Sequence, residues 1–147
     1  MIREATLDDI NGIYQCAIAF HSELLKQKGM PFNNSTAKKY ISWMIEYPQS
    51  LFLVAKNHSV IGCIGGVLNP WLLDENVILM TEMIWYVLRK DRGSIGIRLI
   101  KAFEKKAQEM GATKIIMISL GETDDPISLF YKRKGYHHLE HHFIKDL

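Results

Sequence analysis

Apolar positions recur along this chain with two different periods, and the changes of period mark out its elements. Ile2–Ala5 reads as a short strand. Ile10, Ile13, Tyr14, Ala17, Leu24 and Leu25 follow at helical spacing and predict a first helix running to about Lys26. Thr6 stands as its N-cap with Asp9 three residues on, a variant of the reciprocal capping box, and Gly29 and Pro31 stop it. Asn34 or Ser35 caps a second helix, where Tyr40, Ile41, Met44 and Ile45 share a face and Pro48 closes the run. Leu51–Lys56 and Val60–Leu68 flank a turn at Asn57–Ser59 and read as an antiparallel hairpin. After a loop at Asn69–Asn76, Val77–Leu88 is apolar on both faces, as expected of a central strand. Ile100, Phe103, Ala107 and Met110 mark an amphipathic helix that Gly111 ends. Lys114–Leu120 is a second buried strand, Asp125 and Pro126 open a short helix, and Tyr136–Lys145 alternates as a last strand.

The order is therefore β-α-α-β-β-β-α-β-α-β. A helix separates Val77–Leu88 from Lys114–Leu120, so those two strands can lie parallel, joined by a right-handed crossover, within an otherwise antiparallel sheet. The expected fold class is α/β (α+β): a mixed, mostly antiparallel central sheet flanked by about four helices.

Composition narrows the class. The chain has 147 residues, 48% of them hydrophobic, and a net charge of +2, which suits one folded domain over 1–147 and excludes disorder as the main state. The apolar runs Val77–Leu79 and Met83–Leu88 are separated by Thr81 and Glu82 and fall far short of the roughly 20 residues of a membrane span. Arg3, Glu4 and Asp8 stand where a secretion signal would be apolar, so a cytoplasmic protein is expected. Cys16 and Cys63 have no metal or redox spacing and read as reduced core thiols. The charge is too small to call for nucleic acid as a partner. His137, His138, His141 and His142 lack the spacing of a metalloprotease helix, and no metal is expected.

The chemistry concentrates between the central strand and its following helix. The loop Arg89-Lys90-Asp91-Arg92-Gly93-Ser94-Ile95-Gly96 combines glycines that permit close backbone approach with a helix N-terminus and with Arg89, Lys90, Arg92 and Arg98. That arrangement suits a phosphate-bearing ligand or else forms a solvated basic turn. The loop lacks the Gly-Lys-Ser/Thr of a P-loop and the three glycines of a dinucleotide fingerprint.

Arg92–Gly96 and the helix after it, the preceding Thr81–Val87, the later Phe130–Tyr136 and the opening Ile2–Thr6 together resemble the GNAT family of N-acetyltransferases, in the right order along essentially the whole chain. The resemblance implies acetyl-CoA as co-substrate and an amine as acceptor. It places the diphosphate on backbone N–H groups of Arg92, Gly93, Ser94, Ile95, Gly96 and Ile97. The pantetheine arm then pairs with the backbone of Tyr86 and Val87, where the parallel strands splay apart. By position, Asp124 accepts a hydrogen bond near the same arm.

Glu82 is a carboxylate inside an apolar strand, so it is paired, protonated or functional. It is either a structural ion-pair member or, as the resemblance suggests, the general base that deprotonates the amine. Tyr131 is either a core aromatic or, by the resemblance, the acid that protonates the departing thiolate. A backbone N–H of Tyr86 or Val87 would stabilise the thioester oxyanion. The acceptor site would be walled by the first two helices, their connection and the Asn69–Asn76 loop. Met30, Phe32 and Trp71 offer apolar contact there, Glu82 sits at the reacting end, and Asp74, Glu75, Glu122 and Asp124 favour a cationic amine. The alternative is a non-catalytic acyl-CoA-binding or regulatory module that makes no use of Glu82 and Tyr131. A homodimer through the C-terminal strand is also open.

Overall fold

Three long strands in succession generate a sheet, and the helices before and after them cover both of its faces. The computed structural model describes residues 1–121 and 125–147. The strands are β1 (Ile2–Glu4), β2 (Ser50–Asn57), β3 (Ser59–Trp71), β4 (Asp74–Val87) and β5 (Lys114–Ile116). The helices are α1 (Ile10–Phe20), α2 (Asn34–Glu46), α3 (Ser94–Glu109) and α4 (Pro126–Arg133). Sheet order follows chain order, β1-β2-β3-β4-β5, with antiparallel pairs except for the parallel β4–β5 pair. The mixed α/β architecture read from the sequence is the one observed.

Strand alternation sorts the core into two layers. Phe52, Val54, Val60 and Cys63 meet Ile13, Cys16, Ile41 and Met44 on the α1–α2 face. Leu51, Leu53, Ala55 and Ile64 meet Leu99, Ile100, Phe103 and Tyr131 on the α3–α4 face. Both cysteines are free and fully buried.

Strand β4 changes face partway along its length. Simple alternation would put Met80, Glu82, Ile84 and Tyr86 on one side of the sheet. Instead Gly65 pairs with Ile84 and Gly66 with Glu82, which leaves Met83 as an extra residue. Met80 consequently packs with Leu99 and Phe103, while Ile84 and Tyr86 pack with Phe52 and Cys63.

At the opposite edge, buried Asp9 ties β1, β2 and the start of α1 together. Its carboxylate accepts from Arg3 at 2.7 and 2.9 Å, from Lys56 Nζ at 3.2 Å and from the Thr6 N–H at 2.9 Å. The last of these is the reciprocal half of the capping box expected at Thr6.

Four boundaries differ from the sequence reading. The first helix is not α-helical to Lys26: α1 ends at Phe20, a π-helical turn covers His21–Leu25 and a 3-10 turn covers Lys26–Lys28, before Gly29 at φ 74° stops it. The cap of α2 is Asn33, whose side chain accepts from the Thr36 N–H at 2.9 Å. The expected loop Asn69–Asn76 is drawn into the β3–β4 hairpin, where Asp74 pairs with Trp71 and accepts from the Asn76 N–H. Strand β5 ends at Ile116 rather than Leu120, because the Ile118 N–H turns to a side chain instead of a strand partner.

The last strand expected over Tyr136–Lys145 does not form. Tyr136 is anchored by its hydroxyl, which donates to Glu104 at 2.5 Å. Beyond it Phe143 and Ile144 point into solvent, and the three-residue β5 offers little edge to pair with. An alternating segment becomes a strand only where its apolar positions find a surface.

Candidate active site

The site forms where β4 and β5 part. Their ladder consists of Leu79–Thr81 against Lys114–Ile116, and from Glu82 onward β4 has no β5 partner. Glu82 occupies the first position of the gap. It is 4% exposed and accepts a hydrogen bond from the Ile118 N–H at 2.9 Å. Burial disfavours its charged form and pushes its pKa up to about 7, and the Ile118 bond opposes that rise only in part.

Tyr131 reaches the same peptide from α4. Asp125 sets that helix in place, because its side chain caps the Ile127 and Ser128 N–H groups with Pro126 at the first helical position. The Tyr131 hydroxyl donates to the Ile118 carbonyl at 3.3 Å. Burial raises its pKa well above the usual phenol value, and the nearby Glu82 carboxylate adds to the rise. The two residues singled out as base and acid thus meet on the N–H and C=O groups of Ile118.

The backbone beyond the gap is open on one side. The Leu88 N–H donates to the Ile61 carbonyl at 2.9 Å, and antiparallel alternation then commits Tyr86 to β3 and turns the Val87 amide and carbonyl outward. Of the expected pair, Val87 alone offers its backbone to the gap. Its carbonyl accepts from Arg92 Nε at 3.1 Å.

The basic loop follows. Gly93, at φ 125°, precedes the first turn of α3, and no side chain among the described residues caps that turn. The first helical N–H groups, at Ser94, Ile95 and Gly96, are therefore not taken by a capping side chain. Gly96 has a packing part beside the backbone part read in the sequence. A Cβ there would lie 3.2 Å from the Trp85 ring, so this glycine lets α3 settle on the sheet. Ile97 is on the outer side and Ser94 is exposed. The Trp85 indole N–H, under this helix start, is buried with no hydrogen-bond partner among the described residues. An uncapped helix N-terminus, an orphaned donor beneath it and an open strand edge leading away all fit an extended phosphate-bearing ligand rich in acceptors.

Sequence reasoning missed Glu23. From the π-helical turn, its carboxylate accepts from the Tyr86 hydroxyl at 2.6 Å, Arg92 at 2.8 Å and Arg89 at 3.3 Å. Those three donors, Tyr86 foremost, hold its pKa below the usual carboxylate value. The Arg92 guanidinium lies 5.3 Å from the Tyr86 ring centroid. The only sequence signal for this hub was a lone acid on the polar side of the first helix.

The acceptor-side residues separate. Phe32 lies against Tyr14 and His21, with ring centroids 6.2 and 5.1 Å away. Trp71 lines a groove with Leu72, Leu79, Thr81, Ile116 and Ile118, and Phe32 takes no part in it. Asp124 and Glu122 lie outside the described residues.

The profile of the acetyltransferase (GNAT) family matches residues 17–136. No curated protein matches the chain. Among solved structures, it is similar to a ribosomal-protein-alanine N-acetyltransferase from Brucella melitensis biovar Abortus 2308, at 15% identity and a TM-score of 0.73, covering 100% of this chain and 98% of that one. An acetyltransferase from Trypanosoma brucei aligns at 17% identity and a TM-score of 0.72, covering 100% and 99%. An aminoglycoside acetyltransferase from an uncultured soil metagenomic sample aligns at 17% identity and a TM-score of 0.76, covering 100% and 95%. No helix among the described residues is long and apolar enough to cross a membrane.

Proposed function

The chain belongs to the acetyltransferase (GNAT) family and is an N-acetyltransferase, and from that premise we propose that Glu82 and Tyr131 carry acetyl transfer from acetyl-CoA to a primary amine by direct attack. Acetyl-CoA, when bound, supplies the activated acetyl group. The N–H groups from Arg92 to Ile97 and the outward-facing backbone of Val87 are the groups that would hold it.

An amine acceptor is mostly protonated at neutral pH and cannot attack until it loses a proton. Glu82, with a pKa of about 7, is divided between acid and base forms under those conditions and can take that proton at its carboxylate. Tyr131 is protonated at neutral pH and can pass its hydroxyl proton to the leaving sulfur, whose thiol has an ordinary pKa near 8.5, the phenolate left behind regaining a proton from the amide nitrogen or from water. A preorganised N–H lowers the barrier at the thioester oxygen by about 3 kcal/mol, and the outward-facing Val87 amide is the group that would supply it. No covalent intermediate is needed.

The observation that carries this scheme is the convergence of both side chains on Ile118, at the point where the parallel strands separate. The two free, buried thiols support a reducing, cytoplasmic setting, and residues 1–147 act as one catalytic unit. The similar structures act on a ribosomal-protein alanine in one case and an aminoglycoside in another, so the fold does not fix the acceptor.

The test is release of free CoA in the presence of candidate amines. Amine-dependent release should fall by about tenfold or more in Glu82→Gln and in Tyr131→Phe, with the affinity for CoA retained. Turnover that both variants leave intact would remove the roles assigned here.

A further inference from the structure

A groove of about 490 Å3 runs between the tip of the β3–β4 hairpin and β5. Its walls are Trp71, Leu72, Leu79, Ile116 and Ile118. Trp71 is 45% and Leu72 88% exposed, an unusual outlay of large apolar surface for a hairpin tip. Glu82 and Tyr131 do not line the groove, and two of its lining residues connect it to them. Thr81 precedes Glu82 in β4, and Ile118 supplies the N–H that holds the Glu82 carboxylate. Glu140 stands at the rim, hydrogen-bonded to His142 at 3.1 Å, and neither lysine nor arginine lines the groove among the described residues.

On the reading that Glu82 takes the acceptor's proton, we propose that this groove receives the rest of the acceptor, which is a primary amine carried on an aromatic or branched hydrocarbon body. An amine nitrogen at Glu82 sends its substituent along the Trp71–Ile118 walls. A hydrocarbon body there replaces water that those walls bind poorly. A polyamine or amino sugar would lose water from several polar groups and find few partners along the same path. The rim carboxylate and the lack of lysine and arginine among the described residues favour a cation over an anion.

The test pairs kinetics with direct binding. Acetylation rates are measured for 2-phenylethylamine, tryptamine, spermidine and kanamycin. Binding of 2-phenylethylamine to the chain, in the presence of CoA, is followed by calorimetry. The expected result is that kcat/KM for the two aromatic amines exceeds that for spermidine and kanamycin by about tenfold or more. Trp71→Ala should raise the KM for 2-phenylethylamine by about tenfold and leave the KM for acetyl-CoA unchanged, and Trp71→Phe should restore most of the loss. Preferential acetylation of spermidine or kanamycin overturns the groove assignment and leaves the transferase scheme standing, as does a KM for 2-phenylethylamine that Trp71→Ala does not move. Trp71-dependent binding of 2-phenylethylamine with no acetylation of any amine does the reverse: it supports the groove and overturns the role of Glu82.

Discussion

Asp9 and Glu82 are both buried carboxylates, at opposite edges of one sheet, and they are treated in opposite ways. Asp9 receives two bonds from Arg3, one from Lys56 and one from the Thr6 N–H. The Arg3 bonds foremost hold its carboxyl well below the usual carboxylate range. Glu82 receives a single backbone N–H, with no cation beside it among the described residues, and burial pushes its pKa up to about 7. Both are almost inaccessible to water. The difference lies in the partners. A buried acid surrounded by donors is locked in one charge state and serves as a joint. A buried acid left with one donor can change charge near neutral pH, which is what proton transfer requires.

Kinetics give the widest separation. Glu82→Gln should lower kcat/KM by between about a hundredfold and ten-thousandfold, the range for a lost general base. In the parent protein kcat/KM should climb as pH rises through about 7, because the base must be ionised, and this limb should vanish in the variant. A retained limb in Glu82→Gln would assign that titration to another group. Stability should show the reverse ranking. Asp9→Asn should cost about 2–4 kcal/mol at pH 7, somewhat under the full cost of breaking a buried pair, because about a third of the Arg3 and Lys56 side-chain surface stays in water. Thermal denaturation reads this directly, and a change under about 0.5 kcal/mol would make Asp9 a bystander.

The pH dependence of stability distinguishes the two acids further. The folded pKa of Glu82 is raised, so its contribution is fully present below the unfolded value near 4.5 and is lost as pH rises through about 7. Glu82→Gln should therefore be more stable than the parent at pH 8–9 by on the order of 3 kcal/mol, and no more stable at pH 4. The folded pKa of Asp9 is depressed, so its contribution is present at neutral pH and lost as pH falls below the ordinary aspartate range. Denaturant titrations should thus give slopes of opposite sign for the two sites, stability falling with acid below about pH 4 through Asp9 and falling with base between about pH 5 and about pH 8 through Glu82. Glu23 stands between these extremes, with two arginines and a tyrosine around a partly exposed carboxylate. Glu23→Gln should have the smallest effect: a rise of about threefold in the KM for acetyl-CoA, through a looser Arg92, with kcat unchanged.

Local patterning made much of this legible in advance. Asp125 and Pro126 announced α4, and an acid in the middle of an apolar strand announced Glu82, because both signals reside in a few adjacent residues. The parallel β4–β5 pair followed from the intervening helix. What escaped depended on contacts between distant segments. Glu23 gains its meaning only when the first helix lies across the Arg89–Arg92 loop, 66 and 69 residues away. The C-terminal segment alternates as a strand does, but alternation says nothing about whether a sheet edge is there to receive it. Gly96 reads as a ligand-facing glycine by its place in the loop, and the proximity of Trp85 that gives it a packing part as well exists only in the folded chain.

The unpaired Met83 has a consequence for how separable folding and chemistry are in this chain. With Met83 removed, Glu82 would still face Gly66 and Ile84 would still face Gly65, now in an unbroken ladder, and every neighbouring side chain would keep the layer it now occupies. The interior would be conserved and the kink alone erased. A one-codon deletion should therefore yield a sturdy, well-ordered and inert protein, its β4 straightened at the point where it now parts from β5.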